Sequence, residues 1–198
     1  QLERLAAVLR SEGVDVLTTR EPGGTANGER MRSILLDSST TGLAPMAELG
    51  LMFASRAQQL DELILPTLER GTWVLCDRFT DSSEAYQGGG RGLGSQAVLD
   101  LHRVLCRNIW PDLTVLMDSE VDASVERARR RNLKKGGNSD ENRFEQESRD
   151  FYERVHQAYI NIARREKRRV VMLDARRPAL LHGAVADAEH RSRDPRGV

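Results

Sequence analysis

The 198-residue chain has two cysteines, Cys76 and Cys106, far apart and each in apolar company. They read as buried free thiols in a reducing compartment rather than as a metal site. No stretch is long and apolar enough to span a bilayer. There is no excess of either charge, since 30 Lys and Arg balance 30 Asp and Glu. No global field therefore favours nucleic acid or an anionic membrane. No internal repeat is present. The opening QLERLAAVLRSEG lacks an initiator Met, an N-cap residue and a preceding strand. Yet Leu2, Leu5, Ala6 and Leu9 form the stripe of an amphipathic helix, and Gly13 sits where such a helix ends.

What is present is an alternation. VDVLTT (14–19), TWVLCD (72–77), LTVLMD (113–118) and RVVMLD (169–174) are short, β-branched apolar runs. Near-continuous apolar strands are those covered on both faces, as in a parallel sheet. Helical patterns separate them over 28–37, 46–70, 95–108, 121–132 and 146–168, with another near 178–191. The alternation predicts an α/β fold, a parallel sheet with helices on both faces. The length suits one domain with a substantial core, placed at 1–191, followed by a polar, frayed tail over 192–198. Each strand ends on polar residues: Arg20-Glu21, Asp77-Arg78, Asp118 and Asp174. Open α/β sheets bind ligands beyond the carboxyl ends of their strands. For Asp118 and Asp174 the plainer reading, a cap on the next helix, is favoured.

Four stretches carry candidate chemistry. TREPGGT (19–25) sets Arg20 and Glu21 before a Pro-Gly-Gly turn, and Arg32 follows on the next helix. In LMFASRAQQL (51–60), Met52 and Phe53 precede Arg56 by four and three residues and can share its helical face. A ring beside a guanidinium suits a planar base, although a core Phe with an exposed Arg fits the same spacing. DRFTDSSEAYQGGGRG (77–92) is the richest stretch. Asp81-Ser-Ser-Glu84 has capping-box spacing, so a helix is predicted to start there. Its hydroxyls and N–H groups would face the strand end, a good place for an anion. Tyr86 and Gln87 come one turn later, and three glycines with Arg91 read as a mobile loop. Finally, ERARRRNLKKGGNSDENRFEQE (126–147) holds six basic residues between Arg127 and Lys135, a Gly-Gly break and then Arg143. It is a solvated helix end, a nucleic-acid patch or a hinged lid over polyphosphate. No aromatics interleave the basic run, which counts against nucleic acid.

In order and spacing, TREPGGT, Asp77-Arg78-Phe79, SSEAYQGGGRG and the stretch ending NRFEQE resemble the bacterial thymidylate kinases, dTMP kinases of the nucleoside-monophosphate kinase group. The resemblance covers residues 1 to about 180. That family begins with a strand and a P-loop, GxxxxGK(S/T), whose helix continues in a sequence like QLERLAAVLR. No GxxxxGK(S/T) occurs here. The resemblance thus implies a P-loop kinase-like fold without its first strand and phosphate loop, and impaired phosphoryl transfer by the chain as written.

The resemblance further implies transfer of the γ-phosphoryl of ATP to dTMP with Mg²⁺, in a cytoplasmic homodimer, with no nucleic-acid or membrane partner. Arg78 would clamp the dTMP phosphate and Asp77 would organise Mg²⁺ and its waters. Phe53 would stack on thymine and Arg56 address a base carbonyl. Ser82, Ser83 and Gln87 would line the base and sugar, Tyr86 would crowd a 2′-hydroxyl, and Arg20, Glu21 and Arg32 would complete the pocket. Arg127 and Arg143 would reach ATP phosphates from a lid at about 129–145, and Ala175, in DARRP (174–178), would lie by the adenine. Two departures stand out: many relatives carry the aromatic four residues before that Arg, where this chain has Met52, and Asn142 replaces the common Asp before Arg143. A deoxynucleoside kinase and a non-catalytic nucleotide-binding module remain as alternatives. A nucleoside acceptor needs a carboxylate base, whereas a monophosphate needs an arginine clamp; Arg78 with Arg20 and Arg32 favours the monophosphate.

Overall fold

Each of the four apolar runs forms a strand, and each strand ends on the charged residue the sequence marks. In the computed structural model, which describes residues 1–122, 125–126 and 143–175, these are β1 (Val16–Arg20), β2 (Trp73–Asp77), β3 (Thr114–Asp118) and β4 (Val170–Asp174). β1 and β2 pair in parallel with Arg20 opposite Asp77. β3 and β4 do the same with Asp118 opposite Asp174. The register therefore collects the polar residues at one end of each pair. The expected single sheet is instead two two-stranded sheets, and no ladder joins β2 to β3 among the described residues. Cover on both faces is also incomplete: Trp73, Val115, Met117, Val171 and Met172 are exposed. A two-stranded pair has two open edges and little neighbouring sheet to shield its side chains.

The helices follow the apolar periodicities. α1 (Leu2–Ser11) buries Ala6 and Leu9, and Gly13 follows it at φ +81°. α2 (Ala26–Leu36) is capped by Thr25, whose hydroxyl accepts from the Gly28 N–H at 3.0 Å. The single helix expected over 46–70 is α3 (Pro45–Gln59), a π-helical turn at Leu60–Ile64, and α4 (Leu65–Glu69). Pro66 has no N–H to return to the carbonyl four residues back, and the ladder shifts register just before it. After β2 come α5 (Thr80–Ser83) and a π-helical segment, Glu84–Gly90. α6 (Ser95–Leu105) follows Gly94, and α7 (Arg149–Arg165) is capped by Ser148, which accepts from the Phe151 N–H at 3.2 Å.

Two apolar clusters flank the π-helical segment. Leu49, Phe53, Leu60, Ile64, Val98 and Cys106 form one between α3 and α6. Ala85, Phe151, Val155, Ile162, Ala163 and Val170 form the other along α7. Cys76 and Cys106 are both free thiols; Cys106 is buried and Cys76 partly so. Of the helix expected over 121–132, residues 121, 122, 125 and 126 are described and are helical. Arg127, residues 129–142 of the expected lid, the helix near 178–191 and the 192–198 tail lie outside the described residues.

Candidate active site

The carboxyl ends of β1 and β2 lie side by side, and the Glu21 N–H donates to the Asp77 carbonyl at 2.9 Å. The Pro-Gly-Gly turn then dives under α3. Gln59 Nε2 donates to the carbonyls of Arg20 (2.9 Å) and Gly23 (3.0 Å), and the Gly23 N–H donates to Ser55 Oγ at 3.1 Å. A Cβ on Gly24, at φ +81°, would collide with Gln59, so only glycine fits there. The turn's backbone groups are thus taken up by protein partners. Arg20 pairs with Glu29 at 3.1 Å, and Arg32 donates to the Pro22 carbonyl at 2.9 Å, so both arginines brace the turn.

Arg56 is the centre of the next layer. It is 2% exposed, donates from Nε to Glu21 Oε2 at 2.5 Å and from Nη2 to Ser83 Oγ at 3.0 Å. Its guanidinium lies 4.6 Å over the Phe53 ring and 5.2 Å over Phe79. Phe53 is fully buried in the α3–α6 cluster, beneath the guanidinium, while Met52 is partly exposed. Burial pushes the Glu21 carboxyl up to about 7, and the attraction of Arg56 only partly offsets it. Glu21 Oε1 and Arg56 Nη1 are buried and without a hydrogen-bond partner among the described residues. Such orphans are rare, and a ligand is one of the few things that explains them.

Arg78 leaves β2 in the left-handed region, at φ +73°, which turns its side chain away from the strand path. It is solvent-exposed yet crowded by protein: its guanidinium lies 5.1 Å over the Tyr86 ring and 3.4 Å from the Tyr159 hydroxyl. Tyr86, then Tyr159 and Asp77, hold its pKa above the ordinary guanidinium value. A group that is both accessible and surrounded sits in a cleft. Tyr159 donates to Ser82 Oγ at 2.7 Å, and burial pushes its phenol up to about 12. Asp77 is exposed at the same strand end.

Several expectations change here. The Asp81–Glu84 capping box does not form: Phe79 is the N-cap residue and no side chain caps α5. Both carboxylates are instead held in bidentate fashion from the end of α7 and beyond. Asp81 takes Arg169 at 2.7 and 2.7 Å, and Glu84 takes Arg165 at 2.7 and 2.8 Å. The three glycines are not a mobile loop. They continue the π-helical segment, and Gly89 and Gly90 allow it to approach α7, where a Cβ on Gly89 would lie 2.7 Å from Ala158 Cβ and one on Gly90 would lie 2.6 Å from the Phe151 ring. Asp118 pairs with His156 at 2.8 Å.

Gln87 Nε2 donates to Glu48 Oε1 at 2.8 Å. Glu48 is fully buried and also receives Arg91 at 3.0 Å and Arg143. Arg143 donates in addition to the Leu35 carbonyl at 2.9 Å. Ala175 ends β4, its N–H on the Asp118 carbonyl at 2.8 Å, in the other strand pair. The structure thus groups Glu21, Arg56, Ser83 and Phe53; places Ser82, Arg78 and Tyr86 around Tyr159; and sets Gln87 beside Arg143. Sequence reasoning missed Glu48, Gln59 and Tyr159. Glu48 carried a readable signal: a carboxylate two helical turns before Arg56, on a face that is otherwise apolar.

Comparison with known proteins places the chain among thymidylate kinases. The family model for thymidylate kinase matches residues 1–183. A thymidylate kinase of Trichlorobacter lovleyi is 47% identical over 189 residues, covering 95% of this chain and 89% of that protein. One from Desulfovibrio desulfuricans is 47% identical over 177 residues, covering 89% and 82%. The crystal structure of thymidylate kinase from Ehrlichia chaffeensis superposes with a TM-score of 0.65 at 28% identity, over 87% of this chain and 80% of that one.

Proposed function

Because the chain belongs to the thymidylate kinase family, we propose that it binds dTMP in the cleft between α3 and the segment following β2, and that the γ-phosphoryl of ATP is passed to that dTMP with Mg²⁺ bound. The observation that carries this reading is Arg78: a guanidinium turned out of the strand by a left-handed backbone, exposed, and backed by Tyr86. Its paired donors suit a terminal phosphate. The buried orphan donor on Arg56 and the orphan acceptor on Glu21 supply the polar groups for a base and sugar. Tyr86 forms the wall that disfavours a ribose.

Phosphoryl transfer asks little covalent chemistry of a protein and much alignment and charge neutralisation. A monophosphate acceptor is already ionised, so no general base is needed. Among the described residues no group of three His, Cys, Asp or Glu could hold a metal. Mg²⁺ needs no such cage, because it binds through one or two carboxylates with phosphate oxygens and water. Asp77, exposed beside Arg78, fits that part. When bound, the ion neutralises charge on the phosphates being brought together. Arg143 reaches an ATP phosphate only by leaving Glu48 and the Leu35 carbonyl; Arg127 and Ala175 complete the donor side in this reading. The sequence has no GxxxxGK(S/T). The chain as written is therefore expected to bind dTMP but to transfer phosphoryl slowly, since each strong oxyanion donor contributes roughly 10²–10³-fold. The same reading makes the protein a cytoplasmic homodimer.

Calorimetric titration with dTMP and with thymidine tests the assignment. Arg78→Met should weaken dTMP about 10²-fold and leave thymidine nearly unchanged. Equal dTMP affinity in the two proteins would reject the arginine clamp and the acceptor assignment with it.

A further inference from the structure

We propose that Glu48 is a positioning residue that fixes the donor–acceptor polarity of the Gln87 amide, and through it the choice of a thymine or uracil base over cytosine. This rests on the dTMP site proposed above. Glu48 and Arg56 lie eight residues apart on one face of α3. Ser83 and Gln87 lie four apart on the facing segment. Two rungs join the elements: Arg56 Nη2 to Ser83 Oγ at 3.0 Å, and Gln87 Nε2 to Glu48 Oε1 at 2.8 Å.

A carboxylate can only accept. The Gln87 amide must therefore turn its NH2 group to Glu48 and its oxygen away, which removes the two-fold ambiguity an amide otherwise has. Glu48 stays ionised although fully buried: burial raises its carboxyl, but hydrogen bonds from Arg91, Gln87 and Arg143 outweigh that and hold it below the usual carboxylate range. Each rung leaves one orphan. Gln87 Oε1, an acceptor, and Arg56 Nη1, a donor, are both buried without a partner among the described residues. Thymine and uracil present a carbonyl acceptor beside an N3–H donor. Cytosine presents the reverse, an amino donor beside a bare N3. The donor of Arg56 and the acceptor of Gln87 complement the first edge and repel the second. Gln87 alone could flip to suit either base; Glu48 prevents the flip.

The test is the ratio of dTMP to dCMP affinity, measured by titration on the full chain. The unaltered protein should prefer dTMP by at least ~10²-fold, because an inverted edge leaves buried partners unpaired. Glu48→Gln keeps the shape but offers Gln87 a donor and an acceptor alike, and the ratio should fall about tenfold or more. A merely structural role would weaken both nucleotides together and leave the ratio alone. The double exchange Glu48→Gln with Gln87→Glu restores a fixed acceptor at position 87, and the preference should return. An unchanged ratio in Glu48→Gln, or no recovery in the exchange, overturns the proposal. If Glu48→Gln does not fold, the exchange decides alone: a retained preference supports the proposal, parity overturns it. Failure of the unaltered chain to bind dTMP would overturn this inference together with the reading beneath it, a result distinct from an unchanged ratio.

Discussion

Glu21 and Arg56 form a buried pair in which the cost of desolvation exceeds the attraction, which is why the carboxyl of Glu21 rises to about 7 rather than falling. The sign of the pH effect follows. A carboxyl whose folded pKa is raised gives its full stabilisation below its unfolded value of about 4.5, and loses it as pH climbs through 7. Melting temperature measured against pH for the protein and for Glu21→Gln should show the advantage of Glu shrinking from pH 4.5 to 7.5, by up to about 3 kcal/mol. An advantage that grows over that range would contradict the burial argument. Glu21 and Arg56 were legible in the sequence as charges held at a strand end and beside a ring. That they bond each other was not, because 35 residues separate them and no local pattern records such a contact. Phe53 shows the limit of spacing arguments. Periodicity places it on the face of Arg56, but only packing reveals that it lies wholly in the core, supporting the guanidinium from beneath.

At the scale of elements, the segment Thr80–Gly90 carries Ser82, Ser83, Tyr86 and Gln87, part of the proposed acceptor site, and its conformation is imposed from outside. The capping-box spacing was a fair local signal that lost to stronger partners: a bidentate guanidinium holds a carboxylate better than a backbone N–H does. Arg165 and Arg169 stand more than 80 residues away in sequence, so the competition could not be read locally. The glycines were legible as departures from ordinary helix and not as a packing surface. If close approach to α7 is their purpose, Gly90→Ala forces a Cβ into Phe151 and Val155. That overpacking should cost about 1–3 kcal/mol, read as a lower midpoint in urea with an unchanged slope. Gly92, with nothing within 4 Å of a Cβ but φ +76°, serves as comparison: its substitution tests backbone strain without the clash. Equal and negligible losses at the two sites would refute the packing role.

At the scale of the whole molecule, the described strands form two parallel pairs. The four strands and their polar ends were legible in the apolar runs, since short β-branched runs bounded by helices leave few alternatives. The division into two pairs was not, because apolar runs do not say which edges bond. With no ladder between β2 and β3 among the described residues, side chains must bridge the halves. Arg169, just before β4, grips Asp81 on α5 and lies 4.5 Å over the ring of Trp110. Asp81 is 5% exposed and also accepts from the Thr114 hydroxyl at 3.2 Å. Arg169→Met would strand that carboxylate in the interior, at about 3–5 kcal/mol, or a fall in melting temperature on the order of 10 °C for a chain this long. The loss should be local before it is global. The two tryptophans report the difference, Trp110 at the seam and Trp73 on β2. In single-tryptophan versions made by Trp73→Phe or Trp110→Phe, both signals should melt together when Arg169 is present. With Arg169→Met, Trp110 should change several degrees before Trp73, because the seam opens while β1 and β2 stay paired. Coincident transitions in the Met variant would mean that the halves are joined by something other than this clamp.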